Sequence, residues 1–101
     1  MDNLKYTKIQ LEKNLALLED HLLWSVWNIK DNCYDCIYGH IIKIEGYCEE
    51  GLKFSNEDKF KTLLLSLKVL KEDIFKEGSK NYWRWATIVR EWKYLVWSKK
   101  C

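Results

Sequence analysis

The chain contains no proline and only four glycines in 101 residues. Proline ends helices, and a glycine inside one costs about 1 kcal/mol relative to alanine, so a chain this poor in both is suited to long helices joined by short turns. A sheet-rich fold would need more turn chemistry. The length suits one domain, 1–101, just large enough to bury a single core without obligatory staples.

Apolar spacing supplies the elements. Leu11, Leu15, Leu18, Leu22, Val26 and Ile29 recur at helical intervals and predict one helix over the first thirty or so residues, capped by Asp2 and ending near Asp31 and Asn32. A second helix is expected from about Cys33 to Leu52, with Ile37, Ile41, Ile44 and Cys48 facing inward and Gly51 marking its end. Ser55, with Asp58 three residues on, reads as the capping box of a third helix. Phe60, Leu63, Leu64, Leu67, Leu70 and Ile74 are its inward face, and Gly78-Ser79 stops it. The fourth helix covers roughly Lys80 to Trp97 and buries some combination of Trp85, Ile88, Val89, Trp92 and Leu95. Three short connections make neighbours antiparallel, so the expected fold is all-α, an up-down-up-down four-helix bundle.

The formal charge of +2 is unevenly placed. Up to Gly78 there are eleven basic residues against fourteen acidic, and from Ser79 onward six against one, so the C-terminal stretch is the candidate for meeting an anion. Met1-Asp2-Asn3-Leu4-Lys5 leads into an amphipathic pattern without an apolar leader, and no run is long enough to span a bilayer. The chain therefore reads as intracellular, where four cysteines favour free thiols or metal ligands over a structural disulfide.

One segment is not explained by packing alone: Cys33-Tyr-Asp-Cys36-Ile-Tyr-Gly-His40. In a helix Cys36 and His40 are one turn apart, and in an antiparallel hairpin turning near Asp31 His21 falls at nearly the same height as His40. Cys33, Cys36, His40 and His21 are thus candidate ligands of a structural zinc. The same Cys-x-x-Cys at a helix start suits a redox-active dithiol, with Cys33 as nucleophile and Cys36 as resolving thiol. The third reading is plain packing, with Cys33 and Cys48 as small core residues and His40 a satisfied interface histidine. All three stay open. Glu45, Glu49 and Glu50 read as a solvated face or as partners of lysines one turn away.

Six tryptophans and six tyrosines exceed what one small core requires. On the last helix Trp85 and Trp92 fit the core stripe, while Trp83, Arg90, Tyr94 and Trp97 fall on a neighbouring stripe that an isolated bundle would leave partly wet. Aromatics and arginine dominate the energetics of protein interfaces, so these four are the candidate contact residues for a protein partner or a second copy. A nucleic-acid accessory role, with the basic residues on phosphates and the aromatics on bases, ranks second because no known nucleic-acid module is present. An aromatic-rich core with a solvated basic edge is the plain alternative.

The string from Cys33 to His40, followed by Ile44-Glu45-Gly46 and Glu49-Glu50, resembles a pattern in small helical proteins of large DNA viruses and related environmental sequences: C-x-x-C-I-x-K-H, then I-E-[AG] and a pair of acids. The match covers about twenty residues, with an echo around Val89-Arg90, and this chain has Gly39 where the family pattern has lysine. That family carries no assigned activity, so the resemblance implies a setting, that of small structural components of a virion or phage-like assembly. Taken together, these readings lead to a non-enzymatic interaction or structural subunit, intracellular or virion-associated, with no membrane span.

Overall fold

The computed structural model describes residues 3–27, 34–55 and 57–97. They form four α-helices, α1 (Asn3–Trp27), α2 (Tyr34–Phe54), α3 (Asp58–Glu77) and α4 (Tyr82–Trp97), with a 3-10 turn at Gly78–Asn81 between the last two. No strand occurs among the described residues. The expected cap at Asp2 and the expected helix end at Asp31 and Asn32 lie outside them.

The helices form where apolar side chains recur every three or four residues, and each buries that stripe. Leu11, Leu15, Leu18 and Leu22 of α1 meet Ile37, Ile41, Ile44 and Cys48 of α2, Phe60, Leu63, Leu67, Leu70 and Ile74 of α3, and Tyr82, Trp85, Ala86, Val89 and Trp92 of α4 in a single hydrophobic cluster. Leu64 and Ile88, expected inside, pack against its edge, while the side chains of Val26 and Leu95 lie outside the described set. The helix α1 packs on α2 and α4, α2 also on α3, and α3 on α4. Buried polar groups are served locally, since Thr7 Oγ1 donates to the Asn3 carbonyl at 2.9 Å and Asn14 Nδ2 to the Gln10 carbonyl at 2.8 Å.

Two helix boundaries differ from expectation for physical reasons. Gly51 does not end α2, which continues to Phe54, and the Ser55 N–H still reaches the Gly51 carbonyl at 2.9 Å. This glycine is required by close approach: a Cβ there would lie 2.8 Å from two ring atoms of Phe60. The start of α3 is also built differently. Ser55 Oγ donates to the Glu57 carboxylate at 2.8 Å and accepts from the Glu57 N–H at 3.3 Å, so Glu57 takes the role expected of Asp58. Lys59 at 2.9 Å, with Lys8 of α1 at 3.6 Å, completes a charged knot at that corner. The Lys59 hydrogen bond is the main reason the Glu57 carboxyl sits below its ordinary value, outweighing a burial effect of opposite sign, with Ser55 and the charges of Lys59 and Lys8 adding to it.

Gly39 and Gly46, by contrast, have nothing within 4 Å of the position a Cβ would take. Gly39→Ala and Gly46→Ala should each stabilise the fold by about 0.5–1 kcal/mol, read as an upward shift of the urea midpoint at constant slope. A loss of stability in either would mean that those positions meet something this packing does not contain.

Candidate functional site

Two places gather the chemistry, and the first is the seam between α1 and α2. His21 and His40 face each other there with ring centroids 4.7 Å apart and planes tilted by 40°, at the same height along the two helices as their sequence positions imply. The His21 ring is held by its Nδ1, which donates to the Leu17 carbonyl one turn earlier at 3.0 Å. His40 Nδ1 is buried with no hydrogen-bond partner among the described residues. Burial holds the His40 imidazole below its ordinary pKa, and the electrostatic effect of the neighbouring His21 and Lys43 adds to it.

The cysteines divide. Cys33 lies outside the described residues, as does Cys101. Cys36 is exposed and disulfide-bonded, against the expectation that free thiols or ligands rank ahead of a disulfide. In the first turn of α2 its side chain stays out of the core and accessible to another sulfur, as the dithiol reading of the segment requires of it. Cys48 is free and fully buried, and burial, aided by the carboxylates of Glu45 and Glu49, pushes its thiol up to about 12. It acts as a small apolar residue without nucleophilic character. Among the described residues no group of three or more His, Cys, Asp or Glu side chains is placed to hold a metal ion, so the four-ligand set does not come together within them.

The second place is the outer side of α4. Its inner stripe buries Trp85 and Trp92, whose ring centroids are 6.3 Å apart, and Trp85 Nε1 donates to the Asp73 carboxylate of α3. That bond, with a second from Asn81 Nδ2 at 3.0 Å, holds the Asp73 carboxyl low against a weaker opposing effect of burial, and the Arg84 charge assists. The neighbouring stripe is wet: Trp83 is 58% exposed and Tyr94 72%, more than a core role allows. Arg90 lies between them in sequence and its Nε donates to Glu19 of α1 at 2.7 Å, while Lys93 Nζ reaches the other Glu19 oxygen at 3.0 Å. The Trp97 side chain, the fourth member of the expected stripe, lies outside the described set.

Glu19 is the residue sequence reasoning missed. It sits beside Leu18 at the edge of the α1 stripe and is 6% exposed, and the only signal was a carboxylate directly flanking an apolar run. Burial alone would raise its carboxyl, but the hydrogen bonds and charges of Arg90 and Lys93 win, and its pKa lies below the ordinary 4.5. A carboxyl depressed by folding contributes stability that is fully present above its unfolded value and is lost as pH falls through its folded one. Stability should therefore decline below about pH 4.5, and Glu19→Gln should flatten part of that slope in urea titrations between pH 3 and 6. An unchanged slope in the variant would show that the carboxylate is not held by its two cations.

Glu45 also departs from expectation, pairing with Lys71 of α3 at 2.9 Å rather than with a lysine on its own helix. Sequence reasoning missed a further apolar surface between α2 and α3. There Tyr38 and Phe75 flank Lys71, Glu72 and Lys76 around an open groove of about 520 Å³, with Phe75 77% exposed. No protein-family model matches this chain, and no curated protein and no solved structure matches it either. No helix among the described residues is long and apolar enough to cross a membrane.

Proposed function

We propose that this chain is a non-enzymatic helical subunit of a larger protein assembly, such as a virion, folded as an up-down-up-down four-helix bundle that docks through the outer stripe of α4. The observation that carries the reading is the contrast on that helix, which buries Trp85 and Trp92 inside while leaving Trp83 and Tyr94 more than half exposed. Exposed aromatic area flanking an anchored arginine is what an interface requires and what a free surface disfavours. The Glu19 carboxylate supports this by fixing the Arg90 side chain before a partner arrives, which lowers the ordering cost of association. Arg90 and Trp97 complete the proposed contact set together with Trp83 and Tyr94.

The bundle topology is supported by the circuit of contacts from α1 to α2, α3, α4 and back to α1, and by the pairs that tie Lys8 to Glu57 and Glu45 to Lys71. A protein partner or second copy is favoured over nucleic acid by where the basic charge goes. Arg90 and Lys93 share the Glu19 carboxylate and Lys80 lies 3.7 Å from Glu77, so three of the six basic residues of the C-terminal stretch already have acidic neighbours. The apolar groove at Tyr38 and Phe75 fits a subunit with neighbours on more than one side.

A photo-cross-linking amino acid at position 83 or 94, introduced into the full chain in its native cell, should form discrete protein adducts. The same group at Lys43, exposed on α2 and part of neither aromatic face, should form few. Equal labelling from both helices, or adducts with nucleic acid alone, would overturn the assignment.

A further inference from the structure

The α1–α2 seam holds a pair of imidazoles that the docking reading does not use. Their separation fits coordination chemistry. With metal–nitrogen bonds of about 2.0–2.1 Å and ring centres about 1.1 Å behind each nitrogen, two imidazoles on one ion have centroids about 4.5 Å apart at a right angle and about 5.2 Å apart at the tetrahedral angle. The observed 4.7 Å falls between these values. The nitrogens are also suitably committed. His21 Nδ1 spends its proton on the Leu17 carbonyl, which leaves Nε2 with a free lone pair and fixes the tautomer as a carbonyl commonly does for a ligating histidine. His40 Nδ1 is buried with no hydrogen-bond partner among the described residues, a polar atom whose burial has a cost until something satisfies it. On the α1 side of the pair Asp20, His21 and Trp24 line an open recess of about 290 Å³, and Asp20 puts a carboxylate in its wall.

We propose that His21 and His40 form a two-imidazole clip for a divalent transition metal of the zinc class, bridging α1 and α2 through His21 Nε2 and His40 Nδ1. No third His, Cys, Asp or Glu among the described residues is placed to join them, so the remaining positions belong to water or to a ligand from outside the chain. The site is accordingly exchangeable and open, unlike a closed four-ligand structural centre. It differs from the set drawn from the sequence in needing neither Cys33 nor Cys36, whose sulfur is engaged in a disulfide. It also stands apart from the α4 face, so either proposal survives the failure of the other.

The test uses the full oxidised chain, stripped with chelator, and zinc chloride as probe. Calorimetric titration should give one site per chain, and His21→Gln and His40→Gln should each weaken binding at least tenfold, with Asp20→Asn weakening it less. Because either histidine variant could disturb packing, imidazole ¹⁵N shifts of the wild-type chain are followed in the same titration, and those of His21 and His40 should move together at one equivalent. Absence of saturable binding, binding unchanged in both histidine variants, or saturation with both imidazole signals unmoved would overturn the clip.

Discussion

Phe60→Ala should be the most damaging single substitution in the α2–α3 corner, costing about 3–5 kcal/mol of unfolding free energy. The ring is fully buried, and Gly51 of α2 approaches it so closely that no side chain fits between them. Neither helix can collapse into the vacated space without dragging the Ser55–Glu57 turn and the Lys8 and Lys59 contacts with it. Stability for a domain of this size totals about 5–15 kcal/mol, so the variant should be partly unfolded at room temperature or have lost about a fifth or more of its urea resistance. The companion test is Gly51→Ala. The new methyl group overpacks the ring at a cost of about 1–3 kcal/mol, larger than the gain in helix propensity. In a Phe60→Leu background the same change should cost much less, a coupling that a double-mutant cycle measures. A loss below about 1 kcal/mol in Phe60→Ala would show that this corner is looser than the contacts imply.

Much of this architecture was legible in the sequence because helical burial has a period. The stripes on α1, α2 and α3 follow from intervals of three and four, and the facing heights of His21 and His40 follow from counting residues to either side of a turn. What period cannot convey is distance between helices. Gly51 looks like a helix stop by composition, and its actual role, making room for Phe60, depends on a residue nine positions away on another helix. Glu19 and Asp73 look like any surface acids until α4 delivers Arg90, Lys93 and Trp85 to them. Tyr82 and Ala86 complete the inner face of α4 beside residues that were expected there, Tyr82 three residues before Trp85 and Ala86 three before Val89. A bonded Cys36 was ranked below free thiols and metal ligands because the compartment argument weighs against disulfides, and whether two sulfurs meet is a property of the fold.

The second large effect concerns association. Trp83→Ser combined with Tyr94→Ser should weaken incorporation into the native assembly at least about tenfold, because a few central aromatics dominate interface energetics. It should leave the isolated fold nearly intact: surface substitutions away from caps, cores and pairs shift stability by about 0.5 kcal/mol or less, and both side chains are mostly solvated. Glu19→Ala acts on the same face indirectly, releasing Arg90 and Lys93 from their shared carboxylate, and should weaken association while also lowering stability by about 1–3 kcal/mol. The two kinds of variant therefore separate contact from anchoring.

The most direct measurement compares the size of the chain in extracts of its native cells with that of the Trp83→Ser/Tyr94→Ser variant, alongside thermal melts of both purified proteins. The docking account predicts that the wild type migrates within a larger complex while the variant migrates near its 12.3 kDa monomer mass with an unshifted melt. A variant that stays in the complex, or one that melts many degrees earlier as though these aromatics belonged to the core, would contradict it.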